Sequence, residues 1–220
     1  MKHKIIVMLI FISTIFGNLN AQIYSKNHKF SKLKKSLQIG DYYQGGIIFY
    51  LDKTKNHGLI CAVKDESSDA TWGCFEKATK GANGTAIGTG YQNTQDILKD
   101  TYCATGSAAS FCNIKNQKGL TLTVDNNWFL PAIDELKLMY KNRAKIDATA
   151  KKHRGYAFKT QTGLRKQKGL RSIKRIPVYY WSSTENSVRG ITATILTFKD
   201  GAVSYAGKSG RNYVRAVKFF

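Results

Sequence analysis

The sequence predicts an α+β domain in which antiparallel strands from both chain ends meet, with two to three helices between them. Three observations point there: two apolar runs joined by a turn-rich linker over 45–63, a helix start at Leu130-Pro131, and a β-rich C-terminal third. Composition allows such a domain to pack. Of 220 residues, 42% are hydrophobic, and 12 Tyr, 11 Phe and 3 Trp supply a core despite a net charge of +21. A disordered basic tail lacks that aromatic content. Two prolines and 19 glycines exclude collagen-like and Pro-rich architectures.

Each element has its own signal. Residues 45–51 and 59–63 are apolar and flank the linker 52–58, which reads as a hairpin. Trp72-Gly73-Cys74 and the Gly/Thr-rich stretch 81–90 read as irregular structure, and 93–98 and 107–112 as short helices. After Pro131, Ile133, Leu136, Met139 and Tyr140 recur at helical spacing. Asp134 and Glu135 then lie at the positive end of that helix dipole, with Lys141 and Arg143 near the other. Residues 178–181, 192–198, 203–206 and 213–220 read as strands, with Lys199-Asp200-Gly201-Ala202 as a turn.

The first residues carry an export signal rather than fold. Met1-Lys2-His3-Lys4 is a positive n-region, 5–17 is an apolar run of signal-peptide length, and cleavage is expected between Ala21 and Gln22. The expected organisation is a signal peptide over 1–21, a basic arm over 22–40 and a domain over 41–220. No second long apolar stretch follows, so the mature chain is expected to lack a transmembrane segment and to be secreted or held at the cell surface. Export makes Cys61, Cys74, Cys103 and Cys112 disulfide candidates. Two disulfides are expected, with buried free thiols as the alternative, and the spacing leaves all three pairings open. No paired C-x-x-C spacing occurs, so neither a metal nor another cofactor is expected.

The charge is concentrated. Residues 22–40 hold five Lys and no acid, and 151–175 hold ten Lys/Arg and no acid. The second segment, punctuated by Gly155, Gly163 and Gly169, reads as a long surface loop or loose hairpin. Clusters of this kind attract polyanions by steering and counterion release. Arg165, Lys166, Lys168, Arg171, Lys174 and Arg175 are therefore candidate contacts for an anionic polysaccharide or other polyanion.

The order of several short motifs carries a family resemblance. Gly45-Gly46-Ile47-Ile48-Phe49-Tyr50, His57-Gly58-Leu59-Ile60, Trp72-Gly73-Cys74, Thr85-Ala86-Ile87-Gly88-Thr89-Gly90, Trp128-Phe129-Leu130-Pro131 with Asp134-Glu135-Leu136, Tyr180-Trp181-Ser182-Ser183-Thr184-Glu185 and Val214-Arg215-Ala216-Val217 occur in succession. In this the chain resembles the Lcl C-terminal domain family, named for the Legionella collagen-like protein, over roughly residues 42–220. The resemblance implies a C-type lectin-like fold and recognition rather than catalysis, with sulfated glycosaminoglycans as the ligand class. Two departures stand out. Ala132 replaces a helix-capping Ser or Thr, at a cost of about 1 kcal/mol at most, and the basic stretch 151–175 is long for the family. The calcium-dependent sugar motifs of true C-type lectins are absent, and Glu185 with Asn186 does not by itself make a calcium cage. Trp128 and Trp181 are expected in the core.

No nucleophile elbow, zinc-protease pair or phosphate loop occurs, so an enzyme is not expected. The formylglycine-generating enzymes share a similar fold, but nothing in the sequence singles out a cysteine pair for their copper chemistry. The sequence thus reads as an exported lectin-like adhesion module binding an anionic polymer. The alternative is a structural or receptor-binding protein that meets a protein partner through the 185–213 loops. Its contacts would be Arg189, Lys208, Arg211, Asn212 and Tyr213, and Glu185, Asn186, Arg189, Lys208 and Arg211 are also candidate ligand contacts.

Overall fold

A computed structural model describes residues 36–75, 77–101, 103, 105–118, 127–161, 165–166, 173–174, 177–186 and 190–220. The expected signal peptide, most of the basic arm, and Lys168, Arg171, Arg175 and Arg189 lie outside the described residues. The first sheet contains β1 (Tyr42–Tyr43), β2 (Gly46–Leu51) and β3 (Gly58–Cys61), the hairpin expected from the two apolar runs. Its fourth strand, β11 (Val217–Phe219), pairs antiparallel with β3, placing Val217 opposite Cys61 and Phe219 opposite Leu59. Strands from the two ends of the domain therefore do meet.

The second sheet has the order β4-β10-β7-β8-β9, from β4 (Ser67–Ala70), β7 (Tyr180–Glu185), β8 (Thr192–Leu196), β9 (Val203–Gly207) and β10 (Asn212–Val214). The antiparallel expectation needs one correction: β10 runs parallel to β7, with Tyr213 opposite Tyr180. The β8–β9 hairpin intervenes between them in sequence and supplies the crossover that a parallel pair requires. A separate ribbon joins β5 (Arg165–Lys166) to β6 (Ile173–Lys174). The basic segment thus contains a short antiparallel hairpin, as one of its two sequence readings had it.

Four helices lie between these strands among the described residues: α1 (Gly90–Leu98), α2 (Ala108–Lys118), α3 (Ile133–Lys141) and α4 (Arg143–Lys152). The fourth exceeds the expected two to three. It also shortens the basic loop, because Lys151 and Lys152 form the last turn of α4. Its apolar signal is weak, with Ile146 and Ala150 its buried residues, one helical turn apart.

The core lies where the first sheet meets α3 and α4. Ile47, Phe49, Leu59 and Val217 pack with Ile133, Leu136, Met139, Ile146, Phe158 and Phe198. Within it, Phe158 and Phe198 stack at 3.8 Å, and Tyr180 meets Phe198 edge-on at 4.9 Å. The β8–β9 turn reaches this core through Gly201, whose φ is +80° and whose Cα faces the Tyr140 ring. A side chain there would collide with that ring as well as strain the backbone.

Candidate ligand-binding surface

The motif residues of the sequence form an interior lattice. Trp72 donates its indole N–H to the Ser182 carbonyl and Trp181 donates to the Ala70 carbonyl, each at 2.8 Å. Asn93 donates to the Gly84 carbonyl at 2.7 Å and to the Ser183 hydroxyl at 3.1 Å, and accepts the Gly84 N–H at 3.1 Å. The Ser183 N–H donates to the Pro131 carbonyl at 2.8 Å. Trp128 and Trp181 are buried, as expected of core residues.

The missing cap at Ala132 is replaced from a distance. Thr184 Oγ1 accepts the Ile133 N–H at 3.1 Å and donates to the Gly84 carbonyl at 2.8 Å, while the Thr85 carbonyl accepts the Asp134 N–H. These bonds satisfy two first-turn donors, Ile133 and Asp134, the second of which a local Ser or Thr could otherwise take. The dipole role assigned to Asp134 and Glu135 divides accordingly. Asp134 pairs with Lys137 at the surface, but Glu135 is fully buried. Its carboxylate accepts the Ala132 N–H at 2.7 Å and the Gly88 N–H at 2.8 Å, and is also bonded by the Gly90 amide. Burial pushes this carboxyl up to about 7 in spite of the three amides. The sequence signal for the clamp was a Glu three residues after the N-cap.

Two ion pairs sit inside the domain. Arg215 Nε donates to Asp65 at 2.7 Å, and its guanidinium also reaches the carbonyls of Ala62 and Tyr156 at 3.0 and 3.3 Å, over the ring of Phe158. The Tyr180 hydroxyl donates to the second Asp65 oxygen at 3.2 Å. Burial opposes the Arg215 charge, yet Asp65 beside it carries its pKa above the ordinary value. Desolvation likewise holds Asp65 above the usual carboxylate range, against the pull of Arg215. Sequence reasoning placed Arg215 in a motif without seeing this role.

The second pair joins Lys208 to Glu185. Lys208 Nζ also donates to the Lys77 carbonyl at 2.7 Å and the Thr79 hydroxyl at 3.3 Å, and lies 4.5 Å over the Trp72 ring. The two side chains are 1% and 7% exposed, and burial lowers the Lys208 pKa against the opposing effect of Glu185. Both were candidate ligand contacts on sequence grounds; the structure places them facing each other inside the domain. Asn186 and Arg211 remain exposed, with Arg211 bonded to Asp69 at 3.1 Å. Arg211, Asn212 and Tyr213 line a polar groove of about 500 Å³ beside Ser68 and Tyr179.

The cysteines correct the expectation of two disulfides. Cys74 pairs with Cys103, while Cys61 and Cys112 are free and fully buried. Cys61 belongs to β3 and Cys112 to α2, so each is fixed within its own element. Burial pushes the Cys61 thiol up to about 12 and raises Cys112 as well, leaving both as unreactive core residues. Asp100 lies beside Cys74 and Cys103, but disulfide sulfurs are not the thiolates a metal would take.

Outside this interior, positive charge faces solvent at the end of α4. Lys145, Lys151, Lys152, Arg154 and Lys159 are exposed, and Lys64 is exposed on the loop after β3. The chain then enters the ribbon, where Arg165 is opposite Lys174 and Lys166 opposite Ile173. Three of the six polyanion candidates thus fall in one hairpin, and the other three lie outside the described residues. No described helix is long and apolar enough to cross a membrane.

No curated protein matches the chain. The family model for the Lcl C-terminal domain, however, matches residues 61–218. That match begins at Cys61, takes in Trp72, the Glu135 clamp, the Trp181 to Thr184 strand and the Arg215 ion pair, and the chain belongs to the Lcl C-terminal domain family.

Proposed function

We propose that this protein is an exported, C-type lectin-like adhesion module that binds an anionic polymer, such as a sulfated glycan, through its basic surface. The observation that carries this reading is the acid-free segment 151–175, with ten Lys/Arg, which starts in the solvent-facing last turn of α4 and, beyond the buried Phe158, contributes the β5–β6 ribbon. Family membership supports an adhesive role, and the Cys74–Cys103 disulfide suits an oxidising compartment. A binder rather than an enzyme also fits the interior, where the carboxylates of Asp65, Glu135 and Glu185 already serve structural partners.

Heparin affinity chromatography tests the reading. Retention should weaken steeply with ionic strength, and neutralising Arg165, Lys166, Lys168, Arg171, Lys174 and Arg175 should lower both retention and the salt slope. Unchanged retention removes the segment as the site. A second reading, a protein partner at the 185–213 loops, draws on Ile191, just before β8, and on Val203 and Tyr205 of the edge strand β9, which are 48%, 41% and 58% exposed. It predicts saturable binding that is insensitive to salt.

A further inference from the structure

Lys151 and Lys152 have an ordinary explanation, because cations in the last turn of a helix meet the negative end of its dipole. Two neighbouring residues do not. Arg154 follows the C-cap His153 with φ +58°, and there the Gly155 N–H closes the helix by donating to the Ala150 carbonyl at 2.7 Å. This is a Schellman ending, whose left-handed position glycine fills without strain and an L-residue does not. Arg154 is exposed, and no ion pair among the described residues involves it. A strained residue retained with its side chain in solvent points to a use for that side chain.

Tyr156 is the second. Its ring is 60% exposed, although its backbone is held at both polar groups: the N–H donates to the Val63 carbonyl at 3.0 Å and the carbonyl accepts from Arg215 at 3.3 Å. Lys64 Nζ stands 5.5 Å from the centre of that ring. Tyr42 stacks on His153, three residues before Tyr156, at 3.9 Å and 5°, and is 45% exposed, so Tyr156 is the more open of the two rings.

We propose that Tyr156, with Lys64 over one face of its ring and Arg154 two residues before it in the chain, is a stacking subsite for a pyranose ring of an anionic glycan, which rests on the polyanion reading above. The polarised C–H face of a sugar lies flat against an aromatic ring, and its sulfate or carboxylate groups then fall toward the two cations. A bare polyanion requires charge alone and gains nothing from a positioned ring. Single-stranded nucleic acid is read on successive aromatic platforms, whereas the Tyr42 ring is already stacked on His153.

The test measures affinities of the full chain for three probes at one salt concentration: a heparin octasaccharide, inorganic polyphosphate and a single-stranded DNA oligonucleotide. Tyr156→Ala should weaken octasaccharide binding about tenfold, leave polyphosphate within about twofold, and be rescued by Tyr156→Phe. Arg154→Gly should weaken octasaccharide binding while raising the thermal midpoint, an outcome opposite to that of a residue with a purely structural role. Tyr156→Ala with no loss, or with equal loss on polyphosphate, overturns the subsite while leaving the polyanion reading intact. A larger loss on DNA than on the octasaccharide overturns it in favour of a nucleobase platform. Failure of the unaltered chain to bind any of the three overturns the polyanion reading and the subsite together.

Discussion

The motif-bearing interior and the end of α4 handle charge in opposite ways. Inside, Arg215 and Lys208 each meet a carboxylate and further acceptors, and the two tryptophan indoles and Thr184 bind backbone groups far along the chain. At the surface, Lys151, Lys152, Arg154 and Lys159 face solvent in a segment that contains no acid. The residues that carry the family motifs are thus tied to partners far along the chain, whereas these surface cations are held by their own helix end and the segment after it.

Breaking the interior should destabilise the domain in proportion to burial while leaving polymer binding by the folded fraction unchanged. The largest effect is expected for Lys208→Met, which strands Glu185 inside the domain and should cost about 3–5 kcal/mol in denaturant unfolding. Heparin retention of the folded fraction should stay the same; a selective loss of retention at unchanged stability would join the two regions that the comparison separates.

Glu135 offers a pH handle on the same distinction. Its folded pKa of about 7 lies above its ordinary value of 4.5, so the folded state holds the proton more tightly than the unfolded one. Its contribution to stability is thus full below about pH 4.5 and is lost as pH rises through about 7, amounting to about 3 kcal/mol at most. Urea unfolding followed across this window should show the decline, and Glu135→Gln should flatten it. A window unchanged by that substitution would assign the titration elsewhere. The smallest of these effects belongs to Thr184→Val, which unpairs the Ile133 N–H, leaves the Gly84 carbonyl to Asn93 alone and should cost about 1–3 kcal/mol by the same assay. If Thr184→Val proves neutral, the first turn of α3 does not depend on a cap supplied from β7.

Much of the fold could be read in advance because its signals are local. The β2–β3 hairpin, the helix after Pro131 and the β8–β9 turn each announce themselves within a few residues. Elements held by distant partners were not legible in this way. β4 is polar Ser67–Ala70, with no apolar alternation to betray it, and is a strand only because β10 arrives beside it. α4 buries Ile146 and Ala150, too few apolar positions to outweigh its lysines. At the candidate surface, composition located the basic segment but could not show that Glu185 and Lys208 face each other, since 23 residues separate them. Nor could spacing select Cys74–Cys103 from the three pairings, because thiol geometry depends on how the loops close.

The pairing of β11 with β3 has a consequence for timing. Cys61 and Leu59 lie early in the domain, and Val217 and Phe219 emerge only after nearly all the rest has been synthesised. The first sheet gains its fourth strand last, and closing so long a loop is slow compared with forming the hairpin. A chain built this way postpones its own completion until the β11 segment is available to close the sheet.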